Sequence, residues 1–267
     1  MLQPTPQPAF FVPHGAPTFA LRPGAAGAAL VRAAGSLGRP RAIIVVSAHW
    51  NTAVPTVGFA DRPETIHDFG GFPRELYAIR YPATGCREAA AQVLARIRDA
   101  GFMVISDEKR GLDHGAWLPL RLMFPEADVP VIPVSIQAHL GPAHHLAIGR
   151  ALAPLAEQGF LIIASGNLTH NLADFQLAYR TGGTTPLYVR AFADWIWQRL
   201  DASDVPALLD YRRQAPDAVR AHPDDDHLLP LYVALGAARP GGRIERLHAG
   251  IDEYVIAMDA FAFQTGN

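Results

Sequence analysis

Cysteine is nearly absent from this 267-residue sequence. Cys86 stands alone, so neither an intrachain disulfide nor a cysteine-based zinc cluster can form, and a reducing, cytoplasmic setting is expected. Lysine is equally scarce: Lys109 is the sole one, the other Lys/Arg positions being arginines, and nothing functional is drawn from this bias. Charge of one sign is also missing. A formal net charge of -2, with acidic and basic residues mixed along the chain, leaves no footprint for nucleic acid or an anionic membrane. No apolar run approaches the ~20 residues that cross a bilayer. Residues 1–8 are rich in proline and glutamine and lack the basic and apolar regions of a signal peptide. The phosphate-binding, dinucleotide-binding and serine-hydrolase signatures Gly-x-x-x-x-Gly-Lys-Ser/Thr, Gly-x-Gly-x-x-Gly and Gly-x-Ser-x-Gly do not occur, which removes those common chemistries.

What is there is material for a large core. Hydrophobic residues make up 49% of the chain, and at this length residues 1–267 are expected to form a single domain. Four short runs, 9–12, 42–46, 131–136 and 160–164, are uniformly apolar and bounded by turn-forming or polar residues, the pattern of strands buried on both faces. Between them, residues 87–100, 144–157 and 187–200 have apolar positions at helical spacing, with Gly159 closing the second as a C′ residue. Strands alternating with helices predict an α/β sandwich around a largely parallel sheet. Residues 51–84, with scattered prolines and a Gly-Gly pair, are expected to be an ordered loop region, and 181–185 a small Gly/Thr-rich hinge.

The eleven histidines are informative by position. His14 follows the first run by two residues, His49 the second by three and His170 the fourth by six. Ligands in open α/β sheets bind at the carboxyl ends of strands, so separate strands would deliver these imidazoles to one edge. His227 follows Pro223-Asp224-Asp225-Asp226 and precedes the apolar stretch 228–235, the pattern of a helix start, where the helix dipole keeps an imidazole neutral and available as a ligand. Taken singly, each of these histidines is as well explained by capping a turn; four in such contexts favour a histidine-rich metal site. His139, His144, His145, His222 and His248 are expected in loops or on solvated helix faces. The Ser165-Gly166-Asn167 turn lacks a nearby basic side chain and is not taken as an anion loop.

Six blocks then carry a resemblance: Pro13-His14-Gly15-Ala16-Pro17, Ser47-Ala48-His49-Trp50, His67-Asp68-Phe69-Gly70-Gly71-Phe72-Pro73, Leu112-Asp113-His114-Gly115-Ala116-Trp117, Ser165-Gly166-Asn167-Leu168-Thr169-His170-Asn171-Leu172 and Asp226-His227-Leu228-Leu229-Pro230-Leu231-Tyr232. In this order they resemble the bacterial and plant DOPA-dioxygenase-like members of the class III extradiol ring-cleavage dioxygenases, the group whose plant enzymes make betalamic acid. The C-terminal stretch 248–263 does not resemble the family's end.

The resemblance implies a three-layer αβα sandwich around a mostly parallel central sheet. It implies metal ligands at His14, His49 and His227, an acid/base or fourth ligand at His170, a substrate-contacting or supporting role for His114, and a pocket wall at His67. Trp50, Phe72, Tyr77 and Trp117 are aromatic enough for such a pocket and equally suited to ordinary core; Trp50 and Trp117 join His67 as the expected substrate contacts. The implied partners are a small aromatic diol and O2, with Fe(II) as the working metal and ring opening to a muconic semialdehyde-type product. In the better-known catechol-cleaving relatives the third ligand is glutamate; here it is His227, and three histidines also suit Zn(II). A zinc-dependent hydrolase on the same histidines and a non-catalytic Memo-like binding protein are the alternatives.

Overall fold

The computed structural model describes residues 5–239 and 241–264; residues 1–4 of the proline- and glutamine-rich N-terminus lie outside the described residues. The strands are β1 (Ala9–Pro13), β2 (Ala42–Asn51), β3 (Thr56–Gly58), β4 (Ile105–Asp107), β5 (Val131–Ile136), β6 (Phe160–Gly166), β7 (Ile244–His248), β8 (Ile251–Asp252), β9 (Ile256–Ala257) and β10 (Ala260–Phe263). The helices are α1 (Gly24–Gly35), α2 (Arg74–Ala78), α3 (Arg87–Asp99), α4 (His114–Met123), α5 (Gly141–Ala156), α6 (Leu172–Thr181), α7 (Leu187–Asp201), α8 (Val205–Leu209), α9 (Tyr211–Gln214), α10 (Ala218–Ala221) and α11 (Leu229–Ala237).

Eight strands form one sheet in the order β4-β3-β5-β2-β6-β1-β10-β7. The centre is parallel, β5, β2, β6 and β1 pairing side by side, and it coincides with the four apolar runs. These strands are buried along almost their whole length because helices cover both faces. Helices α1 and α4 pack together on one side, with α4 against β2 and β6; α5 and α11 cross each other on the opposite side, α11 lying over β6, β1 and β2. The expected three-layer αβα sandwich around a mostly parallel central sheet is therefore the fold. Helix α11 is apolar all round, as a helix enclosed on every side must be.

Two features depart from the sequence expectation. The loop region 51–84 contains β3 and α2, elements of three and five residues too short to leave a periodic signal. The C-terminus contributes β10, which pairs antiparallel with β1 and carries β7 beyond it, so the last strands extend the sheet past its parallel core.

The sheet positions the site. The β1–β6 pairing ends at Pro13 opposite Gly166, and the β2–β6 pairing ends at Ser47 opposite Ser165. Pairing of β2 with β5 breaks after Val46 and resumes only at Asn51. That irregularity spans His49, and such a break bends a strand and re-aims its side chains. His14, His49 and the 167–170 turn thus leave three adjacent strands at the same carboxyl edge.

Candidate metal centre

Three imidazoles meet at that edge. His49 Nε2 lies 3.1 Å from His14 Nε2 and 3.2 Å from His227 Nε2. Each ring is turned by a partner on its other nitrogen. His14 Nδ1–H donates to Ser165 Oγ at 3.0 Å and His227 Nδ1–H to Asp226 Oδ1 at 3.0 Å, while His49 Nδ1 lies 3.4 Å from Asp68 Oδ2. Those bonds leave the Nε2 lone pairs facing one another, an arrangement that is repulsive unless a cation lies between them. Nitrogens held ~2.1 Å from one ion at right-angled to tetrahedral spacing are about 3.0–3.4 Å apart, which the observed separations match. The donor set fits a divalent metal.

Electrostatics point the same way. Burial, reinforced by the neighbouring imidazoles, holds His14 and His227 well below the ordinary histidine pKa. Burial and His114 push His49 down to about 3 against the pull of Asp68. Neutral rings are the form a metal needs.

Two more histidines flank the cluster. His170 stacks on His227 with ring centroids 3.4 Å apart and planes 7° from parallel. Burial lowers its pKa to about 4, although the Asp226 carboxylate pulls it upward. His114, the first residue of α4, stands with its ring centroid 4.0 Å from that of His49. Asp68 Oδ1 accepts both the His114 backbone N–H, at 2.9 Å, and its Nδ1–H, at 3.0 Å. Burial favours the protonated Asp68 carboxyl, but the bonds from His114 outweigh it and keep the group ionised. Nitrogens of His14, His49 and His114 all lie within 4.8 Å of one another, as do the ligand atoms of His170, Asp226 and His227.

The local sequence explains this convergence. Gly166 brings β6 against the 227 segment: a Cβ there would sit 2.1 Å from the His227 carbonyl oxygen, so no other residue fits. Asn167 N–H donates to that carbonyl at 3.0 Å, and the Asn167 side chain accepts from Gly15 N–H at 3.0 Å, tying the ends of β1 and β6 to the start of α11. His170 N–H donates to Ala221 O, and Asn171 Nδ2–H to Arg220 O, which anchors the turn that carries His170.

A cavity of about 270 Å³ opens beside the cluster, with His49, His114, His170 and His227 on its floor. Its walls are Phe69, Phe72, Leu172, Phe175, Val255 and Ile256. The expected contacts Trp50, His67 and Trp117 are not among its lining residues. Trp50 packs under the Arg110 guanidinium, 5.0 Å from its ring centroid, instead of lining the cavity. Asp68, not His67, faces the site; His67 Nε2 bonds the Ile79 carbonyl at 3.1 Å. Trp117 is fully buried and donates its Nε1–H to Ile66 O at 2.9 Å.

Sequence reading missed Asp68, Asp226, Ser165 and Asn167, although all stood inside the quoted blocks. Aspartates beside histidines were the available signal, since metal-bound imidazoles commonly donate to carboxylates. The signal is incomplete: Asp113 precedes His114 yet turns away, capping α4 at Ala116 N–H and accepting from Ser47 Oγ at 2.5 Å. His145 and His222, expected in solvent, are buried. His145 Nε2 accepts from Gln137 N–H at 3.1 Å, and His222 Nε2–H donates to Leu168 O at 2.8 Å.

Known proteins resemble this chain in sequence and fold. Residues 27–256 match the family described as the catalytic LigB subunit of aromatic ring-opening dioxygenase. The chain is 38% identical over 264 residues to a 4,5-DOPA dioxygenase extradiol of Beta vulgaris, covering 95% of each chain. It is 35% identical over 240 residues to a 4,5-DOPA dioxygenase extradiol of Escherichia coli strain K12, covering 87% of this chain and 86% of that one. The crystal structure of an uncharacterized protein from Escherichia coli K12 superposes with a TM-score of 0.79 at 27% identity, covering 97% of this chain and 100% of the other. No helix among the described residues is long and apolar enough to cross a membrane. With the fold, the histidine cluster and these likenesses in agreement, the chain belongs to the family of the catalytic LigB subunit of aromatic ring-opening dioxygenase.

Proposed function

We propose that this chain is an extradiol dioxygenase, acting as one catalytic domain over residues 1–267 in the cytoplasm, that inserts both atoms of O2 into a catechol-type ring and opens it beside the diol to a muconic semialdehyde. The observation that carries this reading is the approach of His14, His49 and His227 through their Nε2 atoms beside an aromatic-walled cavity that His49 and His227 line. These three residues would hold the metal, which we take to be Fe(II). Bound there, it supplies the electron transfer between catecholate and O2 that an organic side chain cannot. The names of the relatives, dioxygenases for DOPA, support a catechol as the substrate class.

The chain's own residues supply binding and proton handling. His170 is neutral near pH 7 because of its burial, and it lines the cavity in which a diol hydroxyl would give up its proton. His114 is the second candidate. Its Nδ1–H is committed to Asp68, so Nε2 is the nitrogen left to accept or return a proton at the cavity. The apolar walls exclude water from the ring being opened. Neither the zinc-hydrolase nor the Memo-like alternative has support beyond the shared histidines.

Anaerobic reconstitution with Fe(II), followed by a catechol and air, is expected to give O2 uptake and a yellow ring-opened product. Absence of both across a panel of catechols would refute the reading, as would full activity on esters or amides with Zn(II) alone.

A further inference from the structure

The turn that carries His170 is braced on one side by the segment 220–222. Asn171 Nδ2–H donates to Arg220 O at 2.7 Å, His170 N–H to Ala221 O at 2.8 Å, and His222 Nε2–H to Leu168 O at 2.8 Å. On its other side the turn is tied to the cavity wall, Thr169 Oγ1–H donating to Val255 O at 2.7 Å and Thr169 Oγ1 accepting from Ala257 N–H at 2.8 Å. Of the three bonds to segment 220–222, only the one from His222 is made by a side chain of that segment. It can therefore be removed without altering the turn itself.

His222 is fully buried, with the Phe192 and Tyr211 ring centroids 5.5 and 6.5 Å from its own. Burial lowers its pKa to about 4, so near pH 7 the ring carries one proton; the Leu168 carbonyl can only accept, which places that proton on Nε2. Nδ1 is then a bare acceptor, and among the described residues nothing donates to it. A buried polar atom without a partner is costly, and a leucine in the same aromatic surroundings would avoid that cost. What the imidazole supplies there is the bond to Leu168 O. Its own backbone is held in turn: His222 N–H donates to Ala218 O at 2.9 Å, and Arg220 pairs with Asp174, in the first turn of α6, at 2.9 Å.

Leu168 precedes His170 by two residues, so the orientation of its carbonyl constrains the short span that carries the His170 ring. That ring both stacks on His227 and lines the cavity, and a small rotation of the span would change its distance to anything bound there. Resting on the dioxygenase reading above, we propose that His222 is a positioning residue for His170, its bond to Leu168 O fixing the turn so that the His170 imidazole meets the substrate's diol. His222 does not line the cavity, so its effect on the reaction passes through the turn.

His222→Gln, whose amide Nε2–H can reach Leu168 O, and His222→Leu, which fills the space without a donor, test this on Fe(II)-loaded protein with catechol. His222→Leu is expected to lose at least about tenfold in kcat, while KM, anaerobic catechol binding by calorimetry and metal content stay within about threefold of native. His222→Gln is expected to restore kcat to within about threefold of native. Amide hydrogen exchange, read by mass spectrometry on the loaded protein kept anaerobic, is expected to be at least about fivefold faster at 168–171 in His222→Leu and native in His222→Gln, with α11 unchanged in both. Where His222→Leu does not fold, His222→Asn, one methylene too short to reach Leu168 O, takes its place with the same expectations. Native kcat in the folded variant without the donor overturns the proposal, as do loss of metal from it, a rise in KM that accounts for the lost activity, or a failure of His222→Gln to restore kcat. Absence of turnover in the native protein would count against the dioxygenase reading instead; the exchange comparison would then decide whether His222 holds the turn, and unchanged exchange at 168–171 would overturn that.

Discussion

The imidazoles of His170 and His227 lie face to face, 3.4 Å between centroids and 7° from parallel. Stacking places His170 against the cluster, and the acid/base role proposed for it differs from the ligand role proposed for His227. His170→Ala is expected to retain bound metal while kcat falls by about 10²-fold or more, the usual worth of a positioned acid/base. His227→Ala is expected to lose the metal itself. Elemental analysis after dialysis, beside steady-state kinetics, distinguishes the two; loss of metal from His170→Ala would make that residue a ligand.

The carboxylates behind the proposed ligands set ring orientation. Asp226→Asn and Asp68→Asn are each expected to weaken metal binding about 10- to 100-fold in chelator competition, since each removes the charge that holds an imidazole in place. Asp113→Asn touches the helix cap and the contacts to Ser47 and Arg110 instead. Its expected effect is a loss of roughly 1–2 kcal/mol of stability with metal affinity little changed.

Acid should destabilise the fold through histidines outside the metal cluster. Burial lowers His145 and His222 to about 4, against about 6.5 in the unfolded chain. Between these values the unfolded chain binds more protons, so stability falls as pH drops from about 6.5 and the slope ends below about 4, where both states are protonated. Each contributes on the order of 2 kcal/mol by pH 5. Urea midpoints at pH 7.5 and pH 5 would show the loss, and His145→Gln should make that difference smaller. A midpoint independent of pH over this range would refute the assignment.

Helices α5 and α11 cross at glycines. A Cβ on Gly236 would lie 2.1 Å from the Leu146 carbonyl oxygen, and one on Gly149 2.1 Å from that of Val233. Gly236→Ala would gain helix propensity in isolation, yet here it must push two buried helices apart. A net loss of about 1–3 kcal/mol in denaturant unfolding is expected, and a neutral or stabilising result would show that the crossing can yield.

Much of this protein was legible in order along the chain. The four apolar runs marked the parallel strands because strands covered on both faces have no polar side to show, and histidines just beyond them marked the edge where side chains from separate strands converge. That local pattern, with the quoted motif blocks, determined the fold class and pointed to the His14, His49 and His227 set proposed as ligands. Only the tertiary structure decided which neighbours of those histidines belong to the site. Asp68 faces inward while His67 does not, Asp113 turns away from the His114 beside it, and Trp50 packs under Arg110 instead of lining the cavity. Adjacency in sequence says nothing about direction once a strand breaks its register or a loop leaves regular geometry. The same holds for Val255 and Ile256, which close the cavity from a C-terminal segment brought there by the pairing of β10 with β1, a contact between chain ends that local composition does not encode.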